Sequence, residues 1–280
     1  MLKILLPTDF SNNSFDAITY ALLLLKNFKC EFSLLHTYMP PIYHAEYLVG
    51  SPGQIGLGDA IKQNATSNID ELQKRLTDQF KNENHSFRSI TALNTLPNQV
   101  TETVEIQAID LIVMGTKGAT SAQEILFGTN TIHVIKKAKC PVIAIPPNFN
   151  YETPKEILFP TDYEVDFTTK PLEILLKIAH EHISSIEVLH ATYGYELSQK
   201  QLKNKNTLNE ILGNIAHGFH EQSNQEVVQA INNFQLKHKM NLMVMIRNKH
   251  TFVERLFIDS VIKKIGLNIK IPFMVIPHSK

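Results

Sequence analysis

The sequence predicts an α/β protein of two tandem domains, each with a five-stranded parallel sheet and flanking helices. Short apolar runs typical of strands alternate along the chain with longer segments of helical periodicity. This alternation favours a parallel sheet built from right-handed crossovers. Segments of the first half also recur in the second half in the same order, which indicates a duplicated domain.

The first half opens with Leu2–Leu6, an apolar run without alternation that is typical of a strand buried on both faces. Pro7 ends this run, and a helical pattern with Ser and Asn as candidate N-caps follows it. The other predicted strands are "EFSLLHTY", "FRSITAL", "DLIVMG" and "PVIAIP", and the other predicted helices are "DAIKQNATSNIDELQKRLTDQFKNEN", "LPNQVTETVEIQAI" and "NTIHVIKKA".

Three pairs of segments match between the halves. "KILLPTDFS" resembles "EILFPTDYE", "FSLLHTY" resembles "IEVLHATY", and "IKKAKCPVIAIPP" resembles "IKKIGLNIKIPFMVIPH". His36 and His190 recur at one repeat position, so we expect them to share a packing or hydrogen-bonding role. The boundary falls in the Pro- and Asn-containing segment "PPNFNYETPK", which gives domains over residues 1–150 and 151–280.

Composition excludes several classes of function. The formal net charge is zero, so the chain lacks the basic surface expected of a protein that binds nucleic acid or anionic membranes. Cys30 and Cys140 lack CxxC spacing; a disulfide between them stays open, although a reduced chain is the simpler interpretation. The N-terminus does not resemble a signal peptide, and "AITYALLLL" is too short to span a bilayer. We therefore expect a cytoplasmic protein with neither nucleic acid nor membrane as a partner.

Three glycines mark the most informative segment, "VMGTKGATSAQEILFGTNTIHVIKK". Gly115 follows a buried strand, Gly118 comes shortly after it, and Gly128 precedes Thr129 at the start of a helix. Glycine tolerates positive φ and lets a ligand approach the main chain. Thr129 is placed to cap the helix, whose free N–H groups favour an anion. The pattern predicts a phosphate chain between the two glycine segments, with Lys117 adding positive charge. The structural alternative is that the glycines only end a strand and bend a loop.

Other phosphate-binding motifs do not occur. The chain has no G-x-x-x-x-G-K-[ST] loop and no G-x-G-x-x-G after a strand, and "GQIGLG" follows no predicted strand. Asp9, Thr37 and Met114 lie at the carboxyl ends of three predicted strands, where ligands of parallel sheets bind. The sequence therefore predicts that three separate segments converge on one edge of the sheet.

The spacing Gly115-x2-Gly118-x9-Gly128-Thr129 resembles the G-x2-G-x9-G-[S/T] ATP signature of the universal stress protein family. "ILLPTDFS", "LLHTY" and "CPVIAIP" resemble that family's first, second and last strands. The resemblance covers the whole chain as two tandem Rossmann-like domains of the adenine nucleotide alpha hydrolase-like type. Domains of this family pair through their last strands, which implies an intrachain pseudo-dimer in which "PVIAIP" meets "PFMVIP".

The resemblance also implies an adenine nucleotide site. The acid after the first strand lies beside the ribose or base, the chain after the second strand contacts adenine, and the glycine motif holds the phosphates. A helix-capping role is the competing interpretation of Asp9, and the two roles are compatible. ATP, ADP and AMP share these contacts, with or without Mg²⁺. The implied nucleotide-binding residues are Pro7, Thr8, Asp9, Thr37, Met114, Gly115, Lys117, Gly118, Gly128, Thr129 and Asn130.

The second half lacks the glycines. The positions of Gly115, Gly118, Gly128 and Thr129 are held there by Ile246, Lys249, Asp259 and Ser260. The Ile246 side chain would crowd the phosphate path, and the Asp259 carboxylate would repel phosphate oxygens. We therefore predict that the second domain keeps the fold but does not bind ATP. Arg247, Lys249 and Arg255 leave a site for another anion open, with a solvated basic face as the alternative.

The remaining candidates for chemistry are weak. "HGFHE" and "HEH" do not form H-E-x-x-H, and their histidines are interpreted as surface residues of polar helices, His217 and His220 standing one helical turn apart. No nucleophile stands beside an evident base, and "PTDFSNNS" lacks the S-G-G-x-[DN]-S pattern of PP-loop pyrophosphatases. We therefore expect no catalytic residues and no metal site, and at most weak ATP hydrolysis or autophosphorylation.

The leading hypothesis is an ATP-binding universal stress protein that acts as a nucleotide-responsive regulatory module, with the nucleotide held by the first domain only. One alternative is a nucleotide-independent chaperone-like or scaffold protein that uses the apolar loop "PPIYHAEYLVG". A slow ATPase is the other. A homodimer of the chain and an unidentified protein partner are further expectations.

Overall fold

The computed structural model describes residues 1–39, 57–117, 127–192, 196–223, 225–247 and 270–278. In the first half these residues form β1 (Leu2–Pro7), α1 (Asn12–Leu24), β2 (Cys30–Tyr38), α2 (Leu57–Gln79), β3 (His85–Leu93), α3 (Leu96–Gln107), β4 (Leu111–Gly115), α4 (Thr129–Lys137) and β5 (Val142–Ile145). In the second half they form β6 (Glu156–Pro160), α5 (Thr169–His182), β7 (Ser185–Thr192), α6 (Gln199–Leu212), β8 (Ala216–Ser223), α7 (Val227–Lys237), β9 (Leu242–Arg247) and β10 (Phe273–Pro277).

The strands join in one ten-stranded sheet of order β3-β2-β1-β4-β5-β10-β9-β6-β7-β8. Neighbouring strands are parallel within each half, and the halves repeat the same order. They meet through the antiparallel pair β5–β10, in which Met274 lies opposite Ile143. The predicted α/β fold, with two five-stranded sheets paired through their last strands, is confirmed. The domain boundary near residue 150 stays a prediction.

Helices cover both faces of the sheet, so the central strands need apolar side chains on both sides. Along β1, Ile4 and Leu6 pack into a core with α1 and α2, while Leu5 faces the opposite core, beneath α3 and α4. All five residues of β4 are buried. A second contact between the halves joins α5 to α1, where His182 Nε2 donates to the Leu24 carbonyl oxygen at 2.8 Å.

The prediction that "HGFHE" lies on a helix is wrong, because this segment belongs to strand β8 beside β7. The Glu187 carboxylate on β7 forms a hydrogen bond of 2.5 Å with His220 Nε2 on β8, and its Oε2 lies close to Gly218. A Cβ at Gly218 would lie 2.7 Å from Glu187 Oε2, so the missing side chain makes room for this pair. Cross-strand pairing therefore decides the local structure here. In the described ranges, no three His, Cys, Asp or Glu side chains stand close enough to hold a metal ion.

Both cysteines are buried and unpaired, so the disulfide left open by the sequence does not form. Burial raises the pKa of each thiol to about 12, which makes the reactive thiolate scarce near neutral pH. Among the described helices, none combines the length and apolar character that crossing a bilayer requires.

Candidate functional site

A cavity of about 260 Å³ opens at the carboxyl ends of β1, β2 and β4. From β1 the strand order runs to β2 and β3 on one side and to β4 and β5 on the other. The cavity lies at this switch in strand order, which is the usual ligand position in such sheets. The structure brings together every predicted site residue except Gly118, which lies outside the described residues. The lining consists of Pro7, Thr8, Asp9, Thr37, Met114, Gly115, Lys117, Gly128, Thr129 and Asn130, with Ser14, Leu96 and Thr131 as additions that the sequence interpretation missed.

The loop after β1 orients the carboxylate of Asp9. Asp9 Oδ1 accepts hydrogen bonds from the Ser11 backbone N–H at 3.1 Å and from Ser11 Oγ at 2.6 Å. Ser11 is itself the N-cap of α1, and its side chain accepts from the Ser14 N–H. Asp9 is therefore not the capping residue of α1. Its carboxylate instead holds Ser11, the residue that caps the helix.

Asn13 joins three segments next to the cavity-lining residues Gly115 and Lys117, and it was not among the predicted residues. Its Nδ2 donates to the Ile145 carbonyl oxygen at 3.1 Å, and its Oδ1 accepts from the Lys117 N–H at 3.0 Å. A Cβ at Gly115 would lie only 2.6 Å from Asn13 Oδ1. Gly115 thus has a packing role whether or not a ligand is bound. Its φ is not positive, so conformational freedom is not what this glycine supplies.

Helix α4 begins at the cavity, and its N-cap is Gly128 (φ −67°, ψ 157°), so the expectation of a Thr129 cap is wrong. The Gly128 N–H donates to the Thr116 carbonyl oxygen at 2.7 Å, and Thr131 Oγ1 donates to the Gly115 carbonyl oxygen at 3.0 Å. These bonds tie the start of α4 to the end of β4. The first-turn N–H groups of a helix have no partner inside it and attract negative charge.

A family model described as the universal stress protein family matches residues 1–146. The chain belongs to the universal stress protein family. Two universal stress proteins of Methanocaldococcus jannaschii, MJ0531 and MJ0577, are 29% and 28% identical to it over 147 and 159 residues. Each alignment covers 51% of this chain, and they cover 81% and 93% of the respective relative.

Two solved structures match the fold over both halves. A universal stress protein from Archaeoglobus fulgidus DSM 4304 aligns over 99% of this chain and 97% of its own, with a TM-score of 0.69 and 16% identity. A putative universal stress protein from Pseudomonas aeruginosa UCBPP-PA14 aligns over 98% and 92%, with a TM-score of 0.61 and 12% identity. At this identity the likeness shows the fold alone, and it extends to the tandem arrangement.

The second half of this universal stress protein retains the loop geometry of the first. His190 Nδ1 donates to the Thr161 carbonyl oxygen at 2.9 Å, as His36 Nδ1 does to that of Thr8 at 2.8 Å. The hydrogen-bonding role expected for the paired histidines is confirmed. The residue after each Asp also adopts positive φ, 62° at Phe10 and 57° at Tyr163. Because both halves share these features, they belong to the fold and not to one ligand.

The corresponding cavity of the second half is small and mostly apolar. It measures about 50 Å³, and Ala191 and Ile246 line it where Thr37 and Gly115 line the larger one. The positions of Lys249, Arg255, Asp259 and Ser260 lie outside the described residues. Arg247 donates to two carbonyl oxygens at the end of α4, a contact that the sequence interpretation missed.

Replacing Asp162 by Asn should raise the free energy of unfolding at neutral pH. Burial raises the pKa of the Asp162 carboxyl above its ordinary 3.8, and backbone N–H donors oppose this only in part. The folded protein thus binds this proton more tightly than the unfolded chain, so wild-type stability falls as pH rises from 3.8 through the raised pKa. Urea unfolding should show a higher free energy of unfolding for the Asn variant than for the wild type at neutral pH, and no such difference below pH 3.8. An equal gain at both pH values would contradict the desolvated carboxylate.

Proposed function

We propose that this universal stress protein binds ATP in the cavity of its first half and acts as a nucleotide-responsive regulatory module. The observation that carries the proposal is the convergence of three strand ends and the start of α4 on one cavity of about 260 Å³. Membership of the family supports the same ligand class, because the glycine spacing matches the family's ATP signature.

The lining of the cavity combines three kinds of surface. The start of α4 offers N–H groups and the Thr129 hydroxyl, and Lys117 adds a positive charge, which together suit phosphates. The exposed carboxylate of Asp9 suits hydroxyl donors such as those of a ribose. Leu96 and Met114 provide apolar surface for a base. An adenine nucleotide is a ligand that uses all three kinds of surface.

The proposal restricts ATP to the first half. The second cavity measures about 50 Å³ against about 260 Å³ for the first, and it has Ile246 where the first has Gly115. Its only carboxyl among the described lining residues is Asp162, whose pKa is raised because burial desolvates it. We therefore expect one nucleotide per chain.

The experiment is an isothermal titration of the purified chain with ATP after removal of carried-over ligand, with native mass spectrometry of the untreated protein. We expect saturable binding at or below millimolar ATP with one site per chain, and a co-purified adenine nucleotide in the mass spectrum. An absence of binding at millimolar ATP would refute the proposal and favour a nucleotide-independent binding protein. Two sites per chain would refute the restriction to the first half.

Titrations with ADP and AMP, each with and without Mg²⁺, identify the preferred ligand and any need for the metal. Single-turnover hydrolysis with Mg²⁺ tests the slow ATPase alternative. The cytoplasmic location, the homodimer and the protein partner stay predictions. The loop "PPIYHAEYLVG", which the chaperone-like alternative would use, lies outside the described residues.

A further inference from the structure

The side chain of Arg247 links the second half of the chain to a helix of the first. Arg247 is the last residue of β9, and its guanidinium donates to the carbonyl oxygens of Ile135 and Ala138. The bond from Nη2 to the Ala138 oxygen measures 3.0 Å. Ala138 is the C-cap of α4, and Ile135 lies in its last turn. The guanidinium of a second-half residue thus supplies hydrogen-bond donors to the last carbonyl groups of α4, a helix of the first half.

The antiparallel pairing of the halves explains this contact. Because β5 and β10 run in opposite directions, the carboxyl ends of β9 and β10 lie against the amino-terminal edge of the first half. Helix α4 ends at that edge, just before β5 begins. The last carbonyl groups of a helix have no partner inside it, and a planar guanidinium can bond two of them while complementing the helix dipole.

The opposite end of α4 forms part of the candidate ATP site. Gly128, Thr129 and Asn130 line the cavity, and the whole of α4, from Thr129 to the end bonded by Arg247, has 9 residues and a length of about 14 Å. At this distance the Arg247 charge has little direct effect on a phosphate in water. Its effect on the cavity must therefore come through the position of the helix.

We propose that Arg247 is a positioning residue through which the second half holds α4 in register with the ATP site of the first half. The inference rests on the proposed function. Arg247 occupies the repeat position that Thr116 occupies in the first half, directly after the residue matching Gly115. Position 247 of the second half thus has a different task from position 116 of the first, which is to fix the helix that presents N–H groups to phosphate.

The test compares Arg247→Ala and Arg247→Lys with His182→Ala as a matched control. His182 also donates from the second half to a carbonyl oxygen at a helix end, that of Leu24 in α1. Helix α1 reaches the cavity at Ser14, but the Ser14 N–H is already bonded to the Ser11 cap, so the start of α1 differs from that of α4 in not offering this N–H to phosphate. Arg247→Ala should weaken ATP binding about fivefold or more, the usual range for coupled sites. Arg247→Lys keeps the positive charge but lacks the planar guanidinium that bonds two carbonyl oxygens. This variant should therefore recover part of the affinity. His182→Ala should bind ATP like the wild type.

Amide spectra of the ligand-free proteins provide a readout that a loss of stability alone would not produce. The amide signals of Thr129 and Asn130, at the far end of α4, should shift in both Arg247 variants and stay in place in the His182 variant. Unchanged ATP affinity and unchanged Thr129 and Asn130 signals in Arg247→Ala would overturn the inference. If that variant does not fold, the same result in Arg247→Lys would overturn it.

The two proposals fail in different ways. Wild-type protein that binds no ATP refutes the proposed function, and the ligand-free amide spectra then still decide whether Arg247 positions α4. Wild-type protein that binds ATP, with equal affinity in the Arg247 variants, refutes only the positioning role. Equal losses of affinity in the Arg247 and His182 variants would also refute it, because the effect would then reflect the general contact between the halves.

Discussion

Replacing Asn130 by Asp should lower the affinity for ATP by at least about tenfold without loss of stability. Asn130 is exposed, is the second residue of α4 and lines the cavity. The substitution changes almost nothing in shape and adds one negative charge. A carboxylate in the first turn interacts favourably with the helix dipole by about 0.3–1 kcal/mol, while at short range it repels phosphate oxygens. The ATP affinity measured by calorimetry should therefore fall, while the free energy of unfolding measured in urea should rise.

Gln199→Glu is the matched control for this prediction. Gln199 is the exposed first residue of α6, in the second half, so the variant makes the same amide-to-carboxylate change at another helix start. We expect a similar gain in the free energy of unfolding and no change in ATP affinity. If Asn130→Asp binds ATP as tightly as the wild type does, the phosphates do not lie at the start of α4.

Replacing Gly115 by Ala should lower the free energy of unfolding by about 1–3 kcal/mol, the usual cost of overpacking a buried site. The added Cβ would lie 2.6 Å from Asn13 Oδ1 and 3.1 Å from the Asn13 backbone oxygen. The Asn13 side chain cannot withdraw without losing its bonds to Ile145 and Lys117. Lys117 borders the cavity, so ATP affinity should fall as well. Urea unfolding and an ATP titration measure the two effects.

The double variant Asn13→Ala with Gly115→Ala isolates the cause of that loss. Asn13→Ala alone removes the hydrogen bonds to the Ile145 carbonyl oxygen and from the Lys117 N–H, each with a net contribution of about 0.5–1.5 kcal/mol. In the double variant the clash with the Asn13 side chain is gone, so the combined loss should be smaller than the sum by about 0.5 kcal/mol or more. Additive losses would mean that the Asn13 side chain does not require glycine at position 115.

Local pattern and repetition were enough to predict the sheet and the place of the candidate site. β1 and β4 are buried on both faces, so their apolar runs are unambiguous. The carboxyl ends of parallel strands share one edge, which is why Asp9, Thr37 and Met114 could be expected to meet. β8 was misassigned because a polar strand with paired histidines does not differ, in local pattern, from a polar helix.

The contacts that sequence reasoning missed join residues that are distant along the chain. Asn13 reaches Ile145 across 132 positions, and Arg247 reaches Ala138 across 109. Local periodicity contains no information about such pairs, and "SNNS" was interpreted only as a set of cap candidates. The choice of Gly128 over Thr129 as N-cap has a similar origin, because the Thr116 carbonyl oxygen accepts from Gly128 and so sets where the helix begins.

The most direct test of the central claim is an ATP titration followed through backbone amide signals of the isotope-labelled chain. We predict saturable shifts at Asp9, Gly128 and Asn130, complete at one ATP per chain, with Asp162 and Ala191 unchanged. Shifts centred on Asp162 and Ala191, or the absence of saturable shifts at millimolar ATP, would contradict ATP binding by the first half.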